Sequence, residues 1–380
     1  MRTLTLPAIE CRQNGTRLIV TKMRAGDLED FTKVDPFVSA RDFTDPDQGY
    51  QRPAEPPRIK KLANWLRRES ENGGTARMPT AILLSARGSE VIVSANGTIS
   101  LKDTTKLPLV DGQHRKEGFK YAINEKGMPE FADYEIPVVI MMDLDKLGEM
   151  RQFSVVNGTQ KSVRTDLVNM ILTQLAEQEG ADAVRSSEHW KVVVSQVVKK
   201  LNADPTGPWF DRIVMPDQQA YSKTEQDGNP GLLHRRIARA TSFMSSLKPI
   251  EAYLSEHFTD SDPLNTRADK LYGYITAFWS AVRDLNPECF DRAADYVLLK
   301  TPGIFALHRL CLRVMKDMYI GRRPWDQENF RQMLEDSKEL SDPAYWAVGT
   351  NEGDRGDAAK YGSMKGFSEL ADLLYEALRS

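Results

Sequence analysis

Residues 111–115 carry the densest group of side chains that could do chemistry in this sequence. Arg115 offers a planar pair of donors suited to phosphate oxygens. Among these residues, only His114 has an ordinary pKa that suits proton transfer near neutrality. Asp111 could hold a metal ion or position water, and Gln113 could orient a water or a phosphate. The segment could therefore form a phosphate site, with Asp111, Gln113 and His114 as the catalytic candidates and Asp111 as a candidate metal ligand.

The elements around this segment would place it at a turn. Pro108–Val110 is a short apolar strand that runs into Asp111 and Gly112, and a helix follows through Ala122. The first N–H groups of a helix have no partner within it, so they favour a phosphate at that end. A purely structural explanation also fits, in which Asp111 caps the helix, Gly112 relieves the turn and Arg115 forms a surface salt bridge. A short motif leaves both explanations open.

A second polar pair, Gln51 and Arg52, precedes a predicted helix. Ile59, Leu62, Ala63 and Leu66 fall on one face of that helix. Arg52 could supply a second phosphate contact with Gln51 as its polar partner, because loops often carry sites. The alternative is that Arg52 stacks on a tyrosine within the loop.

A third group, Asn157, Gln160 and Lys161, follows a predicted buried strand at 136–142 and a short helical stretch. The two amides could recognise a base edge or a ribose, and Lys161 could meet phosphate. Helix capping by Asn157 and a solvated Lys161 would explain the same residues.

Clusters of basic residues indicate candidate DNA surfaces. Lys60 and Lys61 lie on the helix predicted after residue 58, and Arg235, Arg236 and Arg239 lie in a second apolar-periodic segment, 233–247. Either cluster could neutralise DNA phosphates. A solvated helix face is the alternative for each.

The chain as a whole divides into two regions of different character. Residues 1–165 predict an α/β domain with strands at 18–23 and 136–142 and two strands, 80–85 and 90–94, joined by a turn at 86–89. Residues 166–380 predict a mainly helical domain, because apolar residues recur at helical spacing in 190–201, 233–247 and 307–318.

Composition limits the class of protein. Of the 380 residues, 41% are hydrophobic and 28% are charged, which is typical of a soluble globular protein. The longest apolar runs are too short to span a bilayer, and the N-terminus lacks the apolar core of a signal peptide. Three scattered cysteines suggest neither a disulfide framework nor a zinc site. We therefore expect a cytoplasmic protein without a membrane partner.

Charge and common motifs narrow the function further. The net charge of −3 does not exclude DNA as a partner, because binding depends on local patches. The sequence has no Walker A pattern, no dinucleotide-binding glycine pattern after a strand and no nucleophile elbow. The familiar NTPase, dinucleotide and hydrolase families therefore have no support.

Asp111-Gly112-Gln113-His114-Arg115 resembles the defining motif of the DGQHR-domain family. That family includes the DNA sulfur modification protein DndB and the related DpdB of deazaguanine DNA modification, and it is related to the ParB/sulfiredoxin-like fold. Further segments resemble the same family in order along the chain, namely 49–52 with 58–66, 153–161 and 300–307.

The resemblance implies a ParB/sulfiredoxin-like N-terminal core with Gln51, Arg52, Gly112, Arg115, Asn157, Gln160 and Lys161 around a nucleotide. It implies an accessory enzyme that hydrolyses ATP with Mg²⁺, acts on DNA by nicking or otherwise preparing it, and works with other proteins of a DNA-modification or phage-defence system. A non-catalytic DNA-binding regulator of the modification genes is the main alternative. A ParB-like clamp switched by a nucleotide is another.

Overall fold

The structure is a computed structural model that describes residues 2–72, 76–87, 91–158, 165–259, 261–349 and 354–379. The chain forms two compact units, one of Met1–Arg41 with Asp45–Val163 and one of Asp42–Thr44 with Arg164–Ser380.

The first unit mixes strands and helices. Its strands are Thr3–Pro7 (β1), Ile9–Gln13 (β2), Thr16–Arg24 (β3), Thr32–Lys33 (β4), Ile82–Ser85 (β5), Ile92–Ser94 (β6), Thr98–Lys102 (β7), Leu107–Asp111 (β8) and Glu135–Met141 (β9). Its helices are Leu28–Phe31 (α1), Pro56–Glu71 (α2), Gln113–Asn124 (α3) and Lys146–Gly158 (α4).

The described strands of this unit form two sheets. The larger has the order β2-β3-β9-β5-β8-β4, and the smaller has the order β1-β7-β6. In the larger sheet β5 runs parallel to β9 and antiparallel to β8. Strand β8, which carries Asp111, thus lies inside the sheet between β5 and β4.

The hydrophobic core of this unit lies on one face of the larger sheet. Ile19, Ile82 and Ile140 point to that face and pack with Leu66 of α2 and Phe119 of α3. Side chains alternate between the faces of a strand, and in β3 Ile19 is buried whereas Val20 is 37% exposed. Helices α2 and α3 pack on this face and therefore fix the orientation of β8, whose last residue is Asp111.

The second unit is mainly helical. Its helices are Thr165–Glu179 (α5), His189–Ala203 (α6), Lys223–Gly228 (α7), Ala240–Leu254 (α8), Leu264–Leu285 (α9), Pro287–Asp291 (α10), Thr301–Ile320 (α11), Gln327–Leu334 (α12), Lys338–Ser341 (α13) and Met364–Ala377 (α14). Two short strands, Ile213–Val214 (β10) and Ala238–Arg239 (β11), pair in parallel. Trp209 and Trp279 meet edge to face at 4.8 Å in its buried core.

These observations confirm the predicted α/β class with a helical C-terminal region. The helices predicted around 59–66, 190–201 and 307–318 correspond to α2, α6 and α11. Among the described residues, no helix combines the length and the apolar character needed to cross a membrane.

The hairpin predicted from 80–85, 86–89 and 90–94 is wrong. Strand β5 belongs to the larger sheet, whereas β6 pairs with β7 in the smaller one. Strand β5 buries its apolar side chains between β8 and β9, whereas β6 pairs with the nearby β7, so these pairings override the predicted turn between β5 and β6.

The predicted helix at 233–247 is wrong for its first part, since α8 begins only at Ala240. Arg236 has a φ of +52° and Ala238 pairs with Ile213 in the β10–β11 ladder. A left-handed residue and a strand bridge cannot continue an α-helix. Arg235, Arg236 and Arg239 therefore do not share a helical face.

Candidate functional site

Residues 111–115 lie at a strand-to-helix turn, as predicted. Strand β8 ends at Asp111, and α3 begins at Gln113 without a side-chain cap. Gly112 between them has a φ of +109°. A Cβ atom there would also lie 2.9 Å from Cγ1 of Ile82. Both the backbone angle and the close packing therefore require glycine at this turn.

Asp111 and Arg115 are bound to each other. Nη2 of Arg115 donates to Oδ2 of Asp111 at 2.9 Å, and its Nη1 donates to the carbonyl and the hydroxyl oxygen of Thr80 at 2.6 and 3.0 Å. Both terminal nitrogens of Arg115 are thus engaged. The purely structural explanation of the motif expected Arg115 to form a salt bridge, and its contact with Asp111 is such a salt bridge. A phosphate would have to exchange with one of these partners to reach Arg115.

His114 is half-buried, and its ring is fixed by a backbone contact. The N–H of Glu55 donates to Nε2 of His114 at 3.1 Å. An imidazole nitrogen that accepts carries no proton, so the neutral ring has its proton on Nδ1. Burial lowers the pKa of His114, and the positive charges of Arg52 and Arg58 lower it further. At neutral pH His114 therefore offers an N–H donor, and it can act as a base through Nε2 only if Glu55 releases it.

Gln51 and Arg52 lie beside the same turn. The buried Gln51 side chain donates from Nε2 to the carbonyl oxygens of Leu109 and Val110, which lie in β8. Arg52 is largely buried and forms a 2.8 Å ion pair with Glu55. Gln51 thus satisfies the backbone of the strand that carries Asp111, and Glu55 links Arg52 to His114.

Asp111 also lines a cleft of about 590 Å³ on the other face of the larger sheet. Leu18, Leu83 and Val139 contribute apolar surface to the cleft, and Val156 of α4 also lines it. Its volume lies in the range of small-molecule sites, about 300–1,000 Å³. The described residues therefore line a cleft of mixed polar and apolar surface with a carboxylate on its wall.

A buried ionic network that the sequence analysis did not identify holds the loop before α2. Glu149 of α4 is fully buried, accepts from Nε of Arg87 at 2.8 Å and accepts from the Tyr50 hydroxyl at 3.1 Å. Arg87 also bonds to Asp35 at 2.7 Å, whose carbonyl accepts the N–H of Gln51 at 3.0 Å. The network thus positions Gln51. No local sequence pattern predicts this network, because Glu149 is 62 residues from Arg87.

The remaining predicted site residues lie in several parts of the chain. The side chain of Asn157 and the whole of Gln160 and Lys161 lie outside the described residues. Lys60 and Lys61 are exposed on α2. In the second unit, Arg235 and Arg236 share the carboxylate of Asp211 at 2.7 and 3.8 Å, and Arg239 is exposed on β11.

The side chains at the turn do not by themselves make a magnesium site. Mg²⁺ takes oxygen ligands, with one or two carboxylates completed by phosphates and water. Asp111 offers a carboxylate, but its Oδ2 is occupied by the Arg115 cation. Across the described ranges, no group of three or more His, Cys, Asp or Glu side chains could hold a metal ion. We therefore derive no chemical step through a resident metal.

Comparison with known proteins finds one family model that is similar to the N-terminal region. Residues 6–170 match the family model of DndB, described as DNA-sulfur modification-associated. This range includes α2 and the entire 111–115 turn. No curated protein and no solved structure matches the chain significantly, so the ParB/sulfiredoxin-like relation stays a prediction. Over residues 6–170 the chain is thus similar to the DndB family.

Proposed function

We propose that this protein is a non-catalytic DNA-binding accessory of DNA sulfur modification, and that its DndB-like region contacts DNA through the outer face of α2. The exposed, unpaired lysines of that helix carry the proposal. Lys60 and Lys61 have no hydrogen-bond or ion-pair partner within the described part of the chain. The main alternative that the resemblance implied was a non-catalytic DNA-binding regulator of the modification genes. The present proposal keeps the DNA binding of that alternative and assigns it to one surface.

The geometry of α2 supports this role. Ala63 and Leu66 are buried in the core, so the opposite side of the helix faces solvent. That side also carries Arg67 and Arg68, whose contacts with Glu71 and Glu69 are 3.8 Å long and exposed. Exposed ion pairs of this kind contribute little to the free energy of folding, so each arginine can easily exchange its carboxylate partner for a phosphate. The helix therefore presents an excess of available positive charge.

The first prediction concerns this face. Replacing Lys60 and Lys61 with alanine should weaken duplex DNA binding and reduce the slope of log K against log salt by about 1.8, because each phosphate contact contributes about 0.9. Fluorescence anisotropy of the full chain across a salt series measures this slope. The double variant Lys338→Ala, Lys365→Ala is the matched control, because it removes the same charge from exposed positions of the second unit. Equal slopes for the two double variants would contradict the proposal.

A second candidate function is nucleotide hydrolysis, which the Asp111 cleft favours. Its apolar surface would accommodate a base. Arg115 would exchange Asp111 for a phosphate, and the freed carboxylate would then position water. The Nδ1–H of His114 would donate to a phosphate oxygen. Mg²⁺ bound to the nucleotide would neutralise negative charge on the phosphoryl group.

The second prediction tests that candidate by phosphate release from each common NTP with Mg²⁺, with and without DNA. Asp111→Asn should abolish turnover and leave nucleotide affinity largely intact. Arg115→Ala should weaken nucleotide binding by about 1.5–3 kcal/mol, which is typical of a charge-assisted hydrogen bond. Absence of phosphate release from the unmodified protein under all conditions would reject hydrolysis and leave the DNA-binding proposal standing.

A further inference from the structure

Aromatic rings gather at the C-terminal end of α11 in the second unit. The ring of Phe258 lies 5.0 Å from that of Tyr319 and 5.2 Å from that of Trp325, and both pairs meet edge to face. Tyr274 contacts Trp325 from α9 at 5.0 Å. We name Phe258, Tyr319 and Trp325 the aromatic platform.

The platform is open to solvent. Tyr319 is 56% exposed and Phe258 is 37% exposed, and the neighbouring Ile320 is 79% exposed. Trp209 and Trp279 of the same unit are fully buried instead. A contiguous exposed apolar patch of this kind is unfavourable in water and commonly marks an interaction surface.

Positive charge surrounds the platform. Nζ of Lys316 lies 4.9 Å from the ring of Tyr253, on the helical face of α11 that also carries Tyr319. Arg322 and Arg323 follow α11 directly and are exposed. These cations suit a polyanion and do not suit a purely apolar partner.

The neighbouring acidic side chains mostly have other partners. Asp317 accepts from the hydroxyl of Tyr375 at 2.7 Å, on the side of α11 that packs against α14. Asp326 accepts from the N–H of Asn329 and caps α12. Glu256 is exposed and lies 4.0 Å from Nδ1 of His257. On the platform side, the three cations thus outnumber the two exposed carboxylates, Glu256 and Asp326.

The backbone at the platform departs from regular helix. Ser255–Thr259, which follows α8 and carries Phe258, is a π-helical turn. π-Turns insert one residue into a helix and occur often at functional sites. Arg322 adopts a φ of +54°, a left-handed conformation that glycine or asparagine usually takes at a helix end. The chain thus holds Phe258 and Arg322 at positions that a regular helix would not provide.

We propose that the aromatic platform binds single-stranded DNA. Unpaired bases stack on Tyr319 and Phe258, and the phosphates of the same strand meet Lys316, Arg322 and Arg323. A duplex buries its base faces in its own stack, so only an unpaired strand can use exposed rings together with cations. This surface lies in the second unit and does not depend on α2 or on the Asp111 cleft.

The test is fluorescence anisotropy of the full chain with a labelled oligothymidine of about 16 nucleotides and with a duplex of equal length. Tyr319→Ala should weaken binding of the single strand about 5- to 150-fold, the effect of removing one stacking ring, whereas Tyr319→Phe should bind as the unmodified protein does. Replacing Lys316 and Arg322 with alanine should reduce the salt slope for the single strand by about 1.4.

Ile320→Ala is the matched control, because it removes an exposed apolar side chain next to Tyr319 that has no ring. Single-strand affinity equal for Tyr319→Ala and Tyr319→Phe would overturn the proposal. So would an equal loss with Ile320→Ala, which would indicate an apolar protein partner. Failure of this test alone leaves the α2 proposal intact, because that one is measured on duplex DNA with Lys60 and Lys61.

Discussion

His308 lies fully buried on α11, within bonding distance of Trp279 and Ser246. Nε1 of Trp279 donates to Nε2 of His308 at 2.9 Å, so Nδ1 carries the proton of the neutral ring and donates to Oγ of Ser246 at 2.7 Å. The Ser246 hydroxyl in turn donates to the carbonyl of Phe243 at 2.9 Å. A second proton on His308, at Nε2, would point at the N–H of Trp279, and the buried ring would then carry a positive charge.

Burial lowers the pKa of His308 from its ordinary 6.5 to about 3, which predicts a pH dependence of stability. Below pH 6.5 the unfolded state binds a proton that the folded state does not, so the free energy of unfolding decreases as the pH falls from 6.5 towards 3. The loss should be about 2 kcal/mol at pH 5 relative to pH 8. Urea denaturation at several pH values measures it.

His308→Gln should remove most of this pH dependence, because glutamine does not titrate in this range. His257→Gln serves as the control, because it makes the same substitution at an exposed position. If His308→Gln keeps the full pH dependence of the unmodified protein, another group causes it.

At the residue scale, sequence reasoning succeeded where partners are close in the chain. The Asp111–Arg115 contact spans four residues, and the salt bridge was one of the two explanations that the motif allowed. The partner of His114 could not be predicted, because Glu55 is 59 residues away and supplies only a backbone N–H. Because the donor is a backbone N–H, the residue type at position 55 does not indicate this contact.

At the element scale, periodicity predicted the helices whose apolar face is continuous and missed the partners of short strands. Helix α11 buries Leu307, Cys311 and Val314 at helical spacing, so its pattern is unambiguous. The segment before α8 has the same spacing, yet the backbone N–H groups of Arg236 and Ile237 donate to Asp211 and Arg212. Tertiary hydrogen bonds to β10 and the residues before it thus override the helical pattern.

The turn that carries residues 111–115 depends on elements on both sides of it. An apolar strand, a turn at Gly112 and a helix start were expected from local sequence, whereas the suggestion that Asp111 caps the helix is wrong. The loop that covers the edge of β8 was not, because Gln51 is positioned by Asp35, Arg87 and Glu149 across long stretches of chain. The geometry of the site is therefore a local turn completed by long-range contacts.

At the scale of the whole molecule, charge is balanced and local. The chain has 51 Lys and Arg against 54 Asp and Glu, so no overall field attracts DNA. Binding must therefore come from patches in which cations outnumber their acidic partners. The segment 235–239 is such a patch, because one carboxylate, Asp211, serves both Arg235 and Arg236, and Arg239 is exposed beside them.

Removing that carboxylate should strengthen DNA binding if this patch contacts phosphates. Asp211 has a φ of +50°, and asparagine tolerates this conformation well, so Asp211→Asn removes the charge without straining the backbone. We expect higher duplex affinity and a salt slope steeper by about 0.9–1.8, corresponding to one or two added phosphate contacts. Asp269→Asn is the control, because it makes the same charge change at an exposed position of the same unit. Equal salt slopes for the two variants would show that Arg235, Arg236 and Arg239 do not bind DNA.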